Sequence, residues 1–359
     1  MSDFILPELP PKIEVETKAV LKQTVKAQRY LAELKGVSKT IPNQNILINT
    51  LPLLEAKDSS AIENIITTHD ELFKETLFGE FIHNASAKEV QNYSYALRTG
   101  FEKVKESGLL TNKQILDIQA CIEKNRAGFR ELPGTELKND LTGETVYIPP
   151  QNLDDITRLM GNLEQFINDD TMSDYDPLVK MAIIHYQFES IHPFYDGNGR
   201  TGRIINILCL VQKGLLDLPV LYLSRYIIRN KGDYYRLLQE VRDKNNWEEW
   251  ILFMLKGVEL TSIKTINLIN SIRNLMQEYK VKIRENYKFY SQDLMNNLFF
   301  HPYTKIEFLE KDLKIHRQTA SKYLDELVNG GFLHLEKIGK HHYYINRPLY
   351  DLLSGKTSG

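Results

Sequence analysis

The feature that most restricts this chain is residues 192–203, HPFYDGNGRTGR. Gly197, Gly199 and Gly202 admit backbone conformations closed to other residues, and their N–H groups can line an anion-binding concavity. A helix is expected from about 200 to 213, and its start adds free N–H groups and partial positive charge. Arg200 and Arg203 are three apart and share a helix face. Each can grip phosphate oxygens with two donors. Asp196 is a hard oxygen ligand suited to Mg²⁺ bridging phosphates. His192 titrates near neutral pH and can take a proton. A glycine-rich turn with surface arginines explains any one of these features, but not their coincidence within one short segment. A P-loop is excluded, because GxxxxGK[ST] is absent.

Around this segment the chain reads mainly as helix. Apolar positions at helical spacing cover 13–35, 86–106, 112–126, 152–168, 176–190, 231–243 and 246–260. A long helix over 262–286 reads as a connector. Residues 128–150 break the pattern with Gly, Pro, Asn and Asp at short intervals, and 145–148 reads as a short strand. Residues 291–329 give three short helices, and two strand-like runs flank Gly339, which is the order of a winged helix.

With 359 residues the chain exceeds one ordinary core and divides into two or three units. Hydrophobic residues make up 42% and charged residues 26%, a soluble globular balance. A net charge of −2 exerts no global pull toward nucleic acid or anionic membrane. No apolar run reaches the roughly 20 residues that cross a bilayer. The N-terminal stretch MSDFILPELPPKIEVE lacks a basic region followed by an apolar core, so no secretory signal is expected. Cys121 and Cys209 sit in separate apolar patterns and read as free thiols of a reducing cytoplasm.

The segment HPFYDGNGRTGR matches the Fic family motif HPFx[D/E]GNGRxxR at every defined position, and the chain is identified as resembling that family. The resemblance implies a mainly α fold: a Fic-type helical bundle with a β-hairpin flap, here with a C-terminal winged helix-turn-helix domain. It implies transfer of AMP from ATP to Ser, Thr or Tyr hydroxyls of proteins, the chain itself among them, with release of pyrophosphate. In that resemblance His192 is the base and Asp196 the Mg²⁺ ligand. Asn198, with the N–H groups of Gly197 and Gly199, forms the α-phosphate anion hole. Arg200 and Arg203 hold the outer phosphates, next to Gly202, and Phe194 anchors the loop in the core. The implied units are 1–110, 111–260 as the catalytic part, 261–290 as connector and 291–350 as winged helix.

Three further segments take meaning from the resemblance. Asp58-Ser59-Ser60 looks like a helix start, and Ser60 with Glu63 satisfies the capping box S-x-x-E. Ser59-x-x-x-Glu63-Asn64 also matches the inhibition motif [S/T]xxxE[G/N] of Fic proteins. That match implies an inhibitory helix, 58–66, whose Glu63 competes for Arg203. Residues 141–150, LTGETVYIPP, resemble the flap; Thr145, Val146, Tyr147 and Ile148 would pair with a target main chain. Residues 232–238 resemble the region that closes over adenine, where Tyr234 and Tyr235 would stack on the base or bond to it. Some relatives carry Asn where Arg242 aligns. From 291 to 359 nine Lys/Arg face eight Asp/Glu. The nearly neutral module leaves DNA binding and protein docking equally open. A homodimer, a DNA-binding regulator with a nucleotide-sensing Fic part, and a Fic enzyme that removes AMP also stay open.

Overall fold

The computed structural model describes residues 5–78, 84–138, 142–338 and 341–355. The helices α1 (Lys18–Ser38), α2 (Asn45–Ile62), α3 (His69–Phe78), α4 (Ala85–Ser107) and α5 (Asn112–Glu123) come first. A short hairpin of β1 (Leu137–Lys138) and β2 (Thr145–Tyr147) follows, antiparallel, with Leu137 opposite Tyr147. Then come α6 (Leu153–Asn168), α7 (Pro177–Ile191), α8 (Asn198–Gln212), α9 (Ser224–Arg229), α10 (Lys231–Lys244) and α11 (Trp247–Asn286). The C-terminal part contains α12 (Gln292–Phe300), β3 (Tyr303–Thr304), α13 (Ile306–Leu313) and α14 (Arg317–Asn329). It ends with β4 (His334–Ile338), β5 (His341–Ile345) and α15 (Arg347–Ser354). The expected order of three helices and a hairpin is present there, and β3 adds to β5 in a sheet of order β3-β5-β4.

The centre of the molecule is α7. Every residue from Leu178 to Ile191 is buried, so this helix needs cover on all sides. It receives it from α6, α8 and α11. Asp176 caps its start with Pro177 in the first turn, a position where a missing N–H costs nothing. Helix α6 shows the other solution: Ile156, Leu159, Met160, Leu163, Phe166 and Ile167 form one buried stripe behind an Asn152 cap. Helix α8 is buried from Arg200 to Leu210. The segment between α7 and α8 is therefore held at both ends by the best-packed helices of the chain.

Two expected helix divisions need correction. The stretch 58–62 is the last part of α2, not the start of a helix, and no capping box forms at Ser60. Instead α2 runs on from its apolar residues 46–54 and stops at Glu63, with Asn64 in the left-handed region at φ 63°. The expected inhibitory helix 58–66 is thus the C-terminal end of a longer one. Likewise 246–260 and 262–286 are a single 40-residue helix, α11. Thr261 and Thr265 return their hydroxyls to the carbonyls of Gly257 and Thr261, at 2.7 and 2.8 Å, and the ladder continues through them.

The C-terminal part packs on the rest through α3 and the end of α11. Phe73 stacks on Tyr303 at 6.2 Å, Lys74 pairs with Glu336 at 3.1 Å, and Tyr279 donates to the carbonyl of Phe332 at 2.9 Å.

Candidate active site

The site is built where α7 stops. His192 caps α7 in the left-handed conformation, φ 49° and ψ 58°, and its N–H still reaches the Phe188 carbonyl at 3.0 Å. That conformation costs a non-glycine residue about 1–2 kcal/mol. It turns the chain sharply, and two residues on Phe194 enters the core against Phe129 and Phe188, at 5.6 and 6.2 Å between ring centres. Burying that ring contributes about 1.5–3 kcal/mol. Asn198 then closes the loop on itself. Its carboxamide accepts from the Phe194 N–H at 2.9 Å and donates to the Phe194 carbonyl at 2.8 Å. One carboxamide N–H and the oxygen of Asn198 are thus spent on the loop, leaving its backbone N–H at the start of α8.

Gly197 begins α8 at φ 79°, and its N–H donates to Asp196 Oδ1 at 2.6 Å. The helical ladder starts with Thr201 N–H to Gly197 C=O, at 2.9 Å. The N–H groups of 198–200 precede it and carry no helical bond. Gly199 and Gly202 have ordinary helical backbone, but side-chain ends crowd the space over them. A Cβ on Gly199 would lie 2.3 Å from Glu63 Oε1 and 2.8 Å from Arg203 Nη1. A Cβ on Gly202 would lie 2.5 Å from Glu189 Oε1.

The two arginines have different surroundings. Arg203 is buried and held by α2: Nε donates to Ser59 Oγ at 2.7 Å, and Nη2 to the Ser59 carbonyl at 3.1 Å. Nη2 also pairs with Glu63 Oε1 at 2.8 Å. Burial works against the charge of Glu63, but Arg203 outweighs it, and the carboxyl lies below its ordinary pKa. Arg200, also buried, turns away from α2 onto Glu123 of α5 at 2.7 Å and Glu89 of α4 at 3.3 Å. Both arginines are thus engaged by carboxylates: Arg203 by Glu63, the partner the sequence motif named, and Arg200 by Glu123 and Glu89, which it did not.

Asp196 is 78% exposed at the rim, with Arg200 at 3.8 Å. Its position beside the α8 N-terminus suits a hard cation carried in with phosphates. Among the described residues no group of three His, Cys, Asp or Glu side chains could hold a metal on its own. Burial and the nearby Arg130 cation push the His192 pKa down to about 4, so its imidazole is neutral at physiological pH. Glu189, buried next to Gly202, is pushed up to about 7 by burial despite Arg203. One of its oxygens has no hydrogen-bond partner.

The flap residues divide by face. Val146 and Ile148 are 45% and 47% exposed, while Thr145 donates to Glu136 at 2.8 Å. Tyr147 is not available to a target: it is buried, and its hydroxyl donates to the Ser190 carbonyl at 2.8 Å. Leu141 lies outside the described residues. Tyr234 is likewise corrected. It is 1% exposed and bonded to His185 at 2.9 Å among Trp250 and Phe253, so helical phase places it in the core. Tyr235, on the next position of α10, is 46% exposed. Asn64 ends α2 and accepts from Lys231 at 3.5 Å.

Residues that spacing did not single out complete the site. Arg130 donates from Nε to the His192 carbonyl at 2.8 Å and from Nη2 to the Pro150 carbonyl. Arg242 lies 3.9 Å over the Tyr147 ring and donates to Ser190 Oγ at 3.3 Å. Glu123 and Glu89 come from helices far off in sequence, and no local signal marks any of these four.

Models of known families match along the chain. The Fic/DOC family N-terminal model covers residues 21–102 and the Fic/DOC family model 109–210, more than half of the chain between them. The chain belongs to the Fic/DOC family. A third model, the C-terminal domain of SoFic-like protein adenylyltransferase, covers 275–349 of this Fic chain. Protein adenylyltransferase Fic of Drosophila erecta is 30% identical over 140 residues, which is 37% of this chain and 28% of that protein. Its Drosophila ananassae counterpart is 29% identical over 143 residues, 37% of this chain and 29% of that protein. The chain thus spans less than a third of the length of these relatives. Among solved structures, a Fic family protein from Desulfovibrio desulfuricans G20 superposes with a TM-score of 0.59 at 19% identity, over 94% of this chain and 98% of that one. Fic-1 (aa134–508) from C. elegans gives 0.54 at 20% identity, over 70% and 74%. These two likenesses establish the mainly helical Fic fold.

Proposed function

We propose that this Fic chain transfers AMP from ATP to hydroxyl side chains of proteins, itself included, and that Glu63 restrains it. The observation that carries the reading is Glu63 Oε1 lying 2.8 Å from Arg203 Nη2 and against Gly199, at the open N-terminus of α8. A carboxylate there occupies the place where a phosphate oxygen would meet the same guanidinium and the same amides.

In this reading the first-turn N–H groups of α8 hold the α-phosphate and Arg203 holds an outer phosphate once Glu63 has left. Asp196, a hard oxygen donor beside those amides, would hold Mg²⁺, which neutralises phosphate charge when bound. Neutral His192 takes the proton of the target hydroxyl. The hydroxyl oxygen bonds to the α-phosphorus as the bond to the α,β-bridging oxygen breaks, and pyrophosphate leaves. Proton removal by His192 contributes a typical ~10²–10⁴-fold. Much of the remainder comes from positioning and fixed charge. The exposed edge residues Val146 and Ile148 seat the target main chain.

The C-terminal part, read as a winged helix, serves recognition. Its recognition helix would be α14, with Arg317 and Lys322 65% and 73% exposed. Its near-neutral charge favours a protein over a duplex. The unpaired Cys121 and Cys209 fit a reducing compartment, and we assign the chain to the cytoplasm. Among the described residues no helix is long and apolar enough to cross a membrane.

The test is label transfer from α-labelled ATP with Mg²⁺. Glu63→Gly protein should label itself and extract proteins strongly, wild type weakly, and Glu63→Gly/His192→Ala not at all. Equal labelling by wild type and Glu63→Gly at saturating ATP refutes the restraint. Labelling that survives His192→Ala refutes the chemistry.

A further inference from the structure

Arg130 is 1% exposed, and among the described residues no carboxylate forms an ion pair with it. A buried guanidinium without a counter-ion is costly unless hydrogen bonds to dipoles replace one. Here Nε and Nη2 make such bonds while the buried Nη1 makes none, and all the acceptors belong to two segments. Nε donates to the His192 carbonyl at 2.8 Å, Nη2 to the Ile191 carbonyl at 3.5 Å and to the Pro150 carbonyl. The backbone N–H of Arg130 adds a bond to the Pro193 carbonyl at 2.8 Å. Ile191 and His192 end α7, where the last carbonyls have no helical partner and the helix dipole is negative. Pro150 is where the chain leaves the flap. Tyr147, in the flap strand, takes the neighbouring Ser190 carbonyl at 2.8 Å.

We propose that Arg130 is a positioning residue that clamps the flap, where a target hydroxyl is presented, to the backbone of His192, the group that takes its proton. The inference rests on the reading of His192 as base. The clamp does two things. It offsets the cost of the left-handed turn at His192 by satisfying the carbonyl that the turn exposes. It also makes the distance from the flap edge to the imidazole a property of one rigid guanidinium, so a target held by its main chain arrives with its hydroxyl in reach. A lysine keeps the charge but not the planar fork that joins Pro150 to His192. The phosphate side, built from α8 and Arg203, does not depend on the clamp. The charged groups facing His192 are Arg130, Arg242 and Glu63; the two arginines disfavour imidazolium and Glu63 favours it.

The experiment compares Arg130→Met and Arg130→Lys in the full chain carrying Glu63→Gly, with unmodified Glu63→Gly as reference. Three quantities are measured: label transfer from ATP, affinity for Mg²⁺-ATP, and amide hydrogen exchange over 142–150. Misplacement of a base by about an ångström costs on the order of 10²-fold. Both variants should lose about that factor in transfer while nucleotide affinity changes less than about threefold, and flap amides should exchange faster. In wild-type background, ¹³C-histidine NMR should show the His192 titration moved up in Arg130→Met, though burial still holds it below the ordinary value, and unmoved in Arg130→Lys. Transfer at the reference rate, loss of transfer in proportion to nucleotide affinity, or unchanged flap exchange in Arg130→Lys overturns the clamp. If Arg130→Met does not fold, Arg130→Lys carries the test. Should the Glu63→Gly reference itself transfer no label, the reading of the reaction fails. Flap exchange in Arg130→Lys still decides the clamp in that case.

Discussion

Arg203 and Arg200 stand one helical turn apart on α8, both buried and both on carboxylates, yet their partners differ in kind. Arg203 is met by the end of a helix: Glu63 is the residue at which α2 stops, followed by Asn64 in a left-handed turn. Arg200 is met by Glu123 and Glu89, from α5 and α4, two helices packed on each other and on α8. A partner at a helix end can leave with a small backbone change. Partners carried on such packed helices keep their backbone in place, and Glu123 is the more buried of the two. On the proposed reading, Arg203 is the arginine that Glu63 would release and Arg200 belongs to the frame.

The largest expected effect breaks the comparison at the switch. In Glu63→Gly background, Arg203→Ala should lower label transfer by about 10²–10³-fold, the usual cost of removing one charge-stabilising donor. A fall of less than tenfold would mean that Arg203 is not the phosphate-holding arginine. The next effect sharpens the frame. Glu123→Gln should leave transfer at the resting level while lowering thermal stability, because a buried guanidinium loses its nearest counter-ion at a cost of about 1–3 kcal/mol. Activation comparable to Glu63→Gly would make Arg200 a second switch.

How much of this was legible in the sequence follows the range of the interactions. The phosphate loop could be read because glycines, base and arginines lie within one turn and one helix start. Glu63 could be placed opposite Arg203 only through the family motif; local chemistry pointed the wrong way. Asp58-Ser59-Ser60 has the composition of an N-cap, and the true signal was Asn64, a residue that tolerates the left-handed turn that ends a helix. Tyr234 and Tyr235 look alike in sequence, and only the phase of α10 against Trp250 tells the buried one from the exposed one. Arg130 reaches the His192 carbonyl across 62 positions, so no window of sequence contains the bond.

A smaller effect concerns Ser59. Its hydroxyl and carbonyl hold the Arg203 fork in line with Glu63. Ser59→Ala removes one bond to a charged group, worth about 1.5–3 kcal/mol, and should raise resting transfer severalfold, less than Glu63→Gly does. No rise would mean that the pair aligns without the serine. The pH response should separate two acids around the same arginine. Arg203 holds the Glu63 carboxyl below its ordinary 4.5, so restraint should stay constant as pH falls through the neutral range and fail only in more acid solution.

A separate effect, off the reaction altogether, is on stability. Glu189 is raised from 4.5 to about 7, so the folded state binds its proton where the unfolded state has lost it. Its contribution is fully present below 4.5 and is lost as pH rises to about 7. Denaturant titrations should show a decline across that window that Glu189→Gln removes. A slope left unchanged by that substitution would assign the titration elsewhere.

The most direct test of the central claim, that Glu63 and ATP compete for one arginine, is calorimetric titration of Mg²⁺-ATP into wild-type and Glu63→Gly protein. The account expects the variant to bind at least about tenfold more tightly, a difference of about 1.4 kcal/mol, and Arg203→Ala to erase that gain. Equal affinities for wild type and Glu63→Gly would contradict it.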